Sequence, residues 1–166
     1  IHTIQFMSLN YNVRSLLVSA VTNYSFAIND RTSLVNLRSL KTLISFKVTN
    51  LELIDLQDNL FIQNKNLMVL DLQENALEFL KQESFYNLSN LSFLELSHNY
   101  LSVIKGHVFF YLVSLKYLYL FDSDIERLST QAFNNLHYLV SLDLGYNRLN
   151  EINKETFGSL HGLEVI

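Results

Sequence analysis

Apolar residues recur along this chain with a period of 24. Leu67, Leu70, Leu72, Leu77 and Leu80 are set out around Asn75, and the same order returns as Leu91, Leu94, Leu96, Asn99, Leu101 and Ile104. It returns again as Leu115, Leu118, Leu120, Ser123, Ile125 and Leu128, and then as Leu139, Leu142, Leu144, Asn147, Leu149 and Ile152. A further start follows at Leu163 and Ile166. Behind each motif stands a second pair: Phe85 with Leu88, Phe109 with Leu112, Phe133 with Leu136, and Phe157 with Leu160. Eight landmarks held in register over four units are no accident of composition, and periods of this length mark stacked repeats.

With positions counted from the first Leu of each unit, 4 and 6 are apolar and 5 is mostly polar. That alternation predicts a short strand with Leu70 and Leu72 facing one way and Asp71 the other. Three residues cannot bury an apolar side alone, so the next strand must lie beside them, placing Leu70 over Leu94, Leu118 and Leu142. The chain then turns away at an asparagine column, read as Asn59, Asn75, Asn99 and Asn147. A primary amide suits such a turn because it both donates to and accepts from nearby backbone. Ser123 interrupts the column with a hydroxyl that cannot copy both arms of an amide. The Phe and second Leu fill the back of each coil, where Lys81 to Leu88 permits a turn of helix.

The first 66 residues are less regular. Leu51, Ile54, Leu56 and Asn59 read as a unit start only 16 residues before Leu67, which predicts a tight or disrupted turn around Phe61 to Asn66. Leu34, Leu37, Leu40 and Leu43 read as the back of one unit entering the next; Leu43/Ser45 and Ile44/Phe46 both fit a strand. Val21, Tyr24, Phe26 and Asn29 fit another start, and Ile1, Ile4, Phe6 and Leu9 a first one. No Gly-, Pro- or Ser-rich linker intervenes. The expectation is one domain over 1–166: degenerate repeats in 1–66, four regular repeats in 67–162, and a new repeat opening at 163–166. The uncapped apolar ends read as an excerpt of something longer.

Composition narrows the chemistry. Among 166 residues there are 33 Leu and 18 Asn, no Cys and no Pro, with 12 basic and 16 acidic side chains for a net charge of -4. Without Cys there is no disulfide framework, zinc-thiolate site or thiol nucleophile. The acidic balance disfavours nucleic acid as partner, and no apolar run approaches the roughly 20 residues that span a bilayer. The five histidines fall at different unit positions except His137 and His161, a column without a carboxylate. His98 stands near Asp122 and Glu74, but no glycine-rich elbow or phosphate loop accompanies it. No enzyme, metal or cofactor is expected.

The LxxLxLxxN motif, its following xL and xxL/I, and the later Phe and Leu in residues 67–162 resemble the leucine-rich repeat family, in the 24-residue class typical of Toll-like receptor and Slit-like ectodomains. The resemblance implies an α/β right-handed solenoid, a horseshoe with a parallel sheet on its concave face, and partner recognition as its role. It also implies an extracellular or cell-surface location. The cysteine-rich caps common in that class are missing.

In such a solenoid, positions 2, 3, 5, 7 and 8 form the concave wall. Position 5 reads Asp55, Asp71, Glu95, Tyr119 and Asp143; position 3 reads Leu53, Val69, Phe93, Tyr117 and Ser141. Phe121 and Tyr146 join from positions 7 and 8. Aromatics beside carboxylates give large contact area at modest entropy cost and suit a basic surface. The expected ligand-binding residues are therefore Asp71, Phe93, Glu95, Tyr117, Tyr119, Phe121, Asp143 and Tyr146. The expected ligand is a basic protein or peptide, with no nucleic acid and no direct membrane contact by this segment. An intracellular scaffold or inhibitor, and an adhesive surface protein without a discrete ligand, stay open as alternatives. Sequons at Asn23, Asn87 and Asn90 add slight weight to a secretory reading, with Asn23 expected on the concave wall.

Overall fold

The computed structural model describes residues 16–17, 37, 41–50 and 52–166. The expected starts at Ile1 and Val21, and the Asn23 sequon, lie outside the described residues. Among the described residues there are eight short strands: β1 (Leu16–Leu17), β2 (Ser45–Val48), β3 (Val69–Asp71), β4 (Phe93–Glu95), β5 (Val103–Ile104), β6 (Tyr117–Tyr119), β7 (Arg127–Leu128) and β8 (Ser141–Asp143). Strands β2, β3, β4, β6 and β8 run parallel in one sheet, with β1 antiparallel at the β2 edge. Ser141 bridges in parallel to Val165 beyond β8. The result is a parallel β-solenoid of about four turns.

Every parallel pairing in this sheet joins residues 24 apart, so Phe46, Leu70, Leu94, Leu118 and Leu142 stand in one line. All five are fully buried. Positions 1, 6 and 11 add further buried leucines to the same core. At the back, Phe85, Phe109, Phe133 and Phe157 form a ladder with ring centroids 5.9, 6.2 and 5.8 Å apart. These aromatic stacks tie coils together where no wide sheet does. The back segments run through turns and, at Lys154–Phe157, a 3-10 helix capped by the Asn153 side chain accepting the Glu155 N–H at 2.9 Å. A second ladder, β5 with β7, pairs Ile104 with Leu128 behind the main sheet; the leucine pattern alone did not announce it.

The regular register begins one coil earlier than the leucine pattern indicates. Ser45, Phe46 and Lys47 pair with Val69, Leu70 and Asp71, so the unit preceding Leu67 starts at Leu43, not Leu51. Between the two candidate strand phases at 43–46, Phe46 and Val48 face the core. There is no disrupted turn at Phe61 to Asn66. Phe61 occupies the landmark Phe place, buried with its ring 6.4 Å from Phe46. Buried Asn64 takes the second-Leu place and donates to the Leu37 carbonyl at 2.9 Å. Leu53 is core rather than wall, and Asn59 is exposed and outside the asparagine column. Ile152, expected inward, is 67% exposed.

The true column holds Asn75, Asn99 and Asn147. Asn99 Nδ2 donates to the carbonyls of Leu72, Leu96 and Ser97 at 3.2, 2.8 and 3.3 Å, while Oδ1 accepts the Leu77 N–H at 3.0 Å. Ser123 keeps the donor arm, its Oγ lying 3.2 Å from both the Leu96 and Phe121 carbonyls. The acceptor arm is replaced by backbone, since the Leu101 N–H donates to the Ser123 carbonyl at 2.9 Å. The adjoining Asp124 has φ 55°, and Glu52, one repeat before the residue that follows Asn75 and preceded in sequence by a Leu, has φ 54°. Both coils lacking the amide thus place the next residue in the left-handed region, a conformation that costs L-residues energy.

Candidate functional site

The sheet's outward positions carry the candidate face. Position 5 forms a straight row, Lys47, Asp71, Glu95, Tyr119 and Asp143, because each is the Cα partner of the next. Lys47 takes the place expected for Asp55, a consequence of the shifted register. Its Nζ lies 2.5 Å from Asp71 Oδ2, so the acidic row begins with a neutralised pair. Asp71, expected as an exposed acid, is only 9% exposed.

The carboxylates have a local structural task that the sequence reading missed. Asp71 Oδ1 accepts the Gln73 N–H at 3.2 Å, Glu95 Oε1 the Ser97 N–H at 2.9 Å, and Asp143 Oδ1 the Gly145 N–H at 2.8 Å. Each satisfies the position-7 amide as the strand ends, in the manner of an Asx turn. Tyr119 cannot do this, and the Phe121 N–H goes instead to Ser97 Oγ on the neighbouring coil at 3.2 Å. At position 8, Asn50, Glu74, His98, Asp122 and Tyr146 all have positive φ, between 48° and 59°. The amides of Glu74, His98 and Asp122 thereby reach the position-7 carbonyls of the next coil at 2.9–3.0 Å.

Burial pushes the Glu95 carboxyl above its ordinary value; the Ser97 hydrogen bonds oppose this, Asp71 adds to it, and His98 works against it. His98 is also placed as the sequence suggests, its Nδ1 3.1 Å from Asp122 Oδ2 and its ring 5.5 Å from Phe121. On the back of the last coils, His137 and His161 stack with centroids 5.8 Å apart. Among the described residues no group of three potential metal ligands occurs, and no helix is long and apolar enough to cross a membrane.

The five aromatics form two contacting groups. Phe93 lies 6.4 Å from Tyr117 and 5.4 Å from Tyr119, ring centre to ring centre; Phe121 lies 4.9 Å from Tyr146. Tyr117 is 39% exposed and Tyr146 82%. Gly145 matters to the second group. A Cβ there would come within 3.1 Å of Asp143 Oδ1 and 3.2 Å of Phe121 Cδ2. The missing side chain leaves a notch between that carboxylate and that ring.

The family description "Leucine rich repeat" matches residues 65–125 and 121–166. No curated protein matches the sequence significantly. Among solved structures, the chain is similar to TLR13 in its complex with ssRNA13, at 26% identity and a TM-score of 0.79, over 86% of this chain and 21% of that one. It is also similar to the Toll–Spatzle complex from Drosophila, a hub in development and innate immunity, at 21% identity and a TM-score of 0.70. That likeness covers 80% of this chain and 18% of the other. The chain thus spans about a fifth of the length of the solved proteins it matches.

Proposed function

The chain belongs to the leucine-rich repeat family, and from that premise we propose that it is a non-catalytic recognition module whose main-sheet face binds a basic protein or peptide outside the cell or at its surface. The observation that carries this reading is the pair of aromatic groups, Phe93 with Tyr117 and Tyr119, and Phe121 with Tyr146, lying open on one sheet face beside Glu95 and Asp143. Tyr and Phe anchored on rigid strands lose little entropy when a partner covers them. Likeness to Toll-like receptors supports a receptor-like role. The exposed sequon residues Asn87 and Asn90 support a secretory route: their amides donate to the Ile62 and Lys65 carbonyls, and an N-linked sugar still leaves each amide one N–H. The acidic row repels phosphate, so the single-stranded RNA held by TLR13 is a poor guide to the ligand of this segment.

Panning the immobilised chain against a random peptide library tests the reading. Enriched peptides are expected to carry Arg or Lys, to lose binding when Tyr117 and Phe121 are both changed to Ser, and to keep it with Tyr138→Ser. Binders indifferent to the first variant, or tighter binding of a single-stranded RNA than of any basic peptide, would overturn it.

A further inference from the structure

We propose that Glu95, Tyr119 and Asp143 form a clamp for one arginine side chain of the partner, the guanidinium lying on the Tyr119 ring with a carboxylate on either side. The inference rests on the recognition face argued above and names the group that face selects.

The row itself supplies the internal precedent. One end of it already holds a cation: Lys47 stands beside Asp71 on the adjacent strand, and the two meet at 2.5 Å. A positive group at this height on the sheet therefore reaches a neighbouring carboxylate. Further along, Tyr119 stands between Glu95 and Asp143, Cα partner to both. Among the described residues neither acid forms a salt bridge, and the nearby His98 is held by Asp122. The chain thus fills the cationic place at one end of its row and leaves it open at the other.

Dimensions favour arginine. Adjacent strands are about 4.8 Å apart, so Glu95 and Asp143 are separated by about 9.6 Å at the backbone. A planar guanidinium about 2.3 Å across, with charge-assisted hydrogen bonds of about 2.8 Å on each side, spans about 8 Å. A lysine ammonium is a point charge that reaches one carboxylate at a time and cannot stack flat on a ring. Each acid holds a backbone amide, Glu95 that of Ser97 and Asp143 that of Gly145, which fixes the carboxylates; the Ser97 hydroxyl also bonds Glu95, while Asp143 keeps its Oδ2 for a ligand. Phe93 steadies the Tyr119 ring from one side, at 5.4 Å. The notch over Gly145 borders Asp143, where an added Cβ would sit 3.1 Å from the Oδ1 that holds the Gly145 amide and would press that carboxylate out of place.

The test is a nitrogen-15 NMR titration of the chain with acetyl-Gly-Arg-Gly-amide, with the citrulline and lysine peptides in parallel. Shifts are expected at the Glu95, Tyr119, Asp143 and Gly145 amides, with a Kd of about 1 mM for so small a probe. Citrulline keeps the shape without the charge and should bind about tenfold more weakly; lysine should fall between. Glu95→Gln and Asp143→Asn each retain an oxygen for the backbone amide, so they should fold normally and weaken binding about three- to tenfold. Gly145→Ala, which leaves all charges in place, should also weaken it, and Asp124→Asn should not. Equal affinity for citrulline, shifts centred elsewhere, or unchanged binding by the Glu95→Gln/Asp143→Asn double variant would overturn the clamp. If the arginine peptide fails while library peptides still bind in a Tyr117- and Phe121-dependent way, the clamp falls and the recognition face stands. If both fail, both fall.

Discussion

Replacing Asn99 by Ala removes a buried amide that serves four backbone groups on three segments. Leu77 N–H, fully buried, loses its acceptor at 3.0 Å, and the carbonyls of Leu72, Leu96 and Ser97 lose a shared donor. An orphaned buried donor costs about 1–3 kcal/mol, and under-satisfied carbonyls cost less because each has a second lone pair. The sum is about 2–4 kcal/mol. For a chain of this size, 1 kcal/mol moves Tm by about 2–4 °C, so a fall of about 4–16 °C is expected. Asn99→Ser should lie between wild type and Ala. It keeps the donor, as Ser123 does, but Leu77 N–H then needs a backbone carbonyl. At Ser123 the displaced backbone has Asp124 next to it with φ 55°, a conformation Asp tolerates better than the Tyr100 that follows Asn99. Thermal unfolding by circular dichroism, with hydrogen exchange at the Leu77 amide, checks both changes. An Asn99→Ala variant within about 0.5 kcal/mol of wild type, or an Asn99→Ser variant with an undiminished Leu77 protection factor, would refute the amide's role.

Other outcomes follow from the same geometry. Leu118→Ala, a fully buried truncation in the central strand, should cost about 2–5 kcal/mol in chemical denaturation, whereas Tyr138→Ala, 67% exposed, should change stability by less than about 0.5 kcal/mol. Because burial raises the Glu95 pKa in the folded chain, its protonated form favours folding: that contribution is complete below the ordinary carboxyl range and is lost as pH rises through the raised value. Glu95→Gln should therefore raise Tm at pH 7, with a gain that shrinks as pH falls through the raised value and is gone below about 4.5, checked by melting curves across pH. Lys47→Ala should destabilise more than Lys81→Ala, since the Lys47 partner Asp71 is largely covered while Asp58, the partner of Lys81, is 74% exposed; denaturant midpoints report the order.

The repeat from 67 to 162 was legible because each landmark is a large apolar residue or an asparagine at a fixed spacing, and packing at those places accepts little else. The coil from 43 to 66 misled for equally physical reasons. Phe46 and Val48 replace leucines in the strand, Leu51 stands where the asparagine belongs, and Asn64 stands where the second Leu belongs. The run Leu51, Ile54, Leu56 and Asn59 then mimics a start eight residues late. Phe61, 24 residues before Phe85, was the signal that fixes the phase. That slip carried Asp55 into the row in place of Lys47 and hid the Lys47–Asp71 ion pair. The row's membership elsewhere was readable, since position 5 needs only the period. What its acids do was not, because whether a carboxylate turns toward solvent or back to an amide two residues on depends on the turn that follows.

That dual use of the carboxylates bears on how such a face can change partners. A side chain that only contacts a ligand can be replaced freely, but Asp71, Glu95 and Asp143 each also close the turn after their strand. Substitutions that keep an acceptor, Asp to Asn or Glu to Gln, preserve the turn and alter only charge. Tyr119 shows the other route: it drops the turn contact, and Ser97 on the preceding coil supplies the acceptor for the Phe121 amide. An aromatic at position 5 is thus supported by a hydroxyl at position 7 one coil earlier. Ser97→Ala should consequently destabilise the chain through an amide 24 residues away and loosen the Phe121–Tyr146 pair, while leaving the Glu95 carboxylate bonded to its own position-7 amide. A Ser97→Ala variant whose Phe121 amide exchanges no faster than wild type would show that the turn after Tyr119 needs no borrowed acceptor.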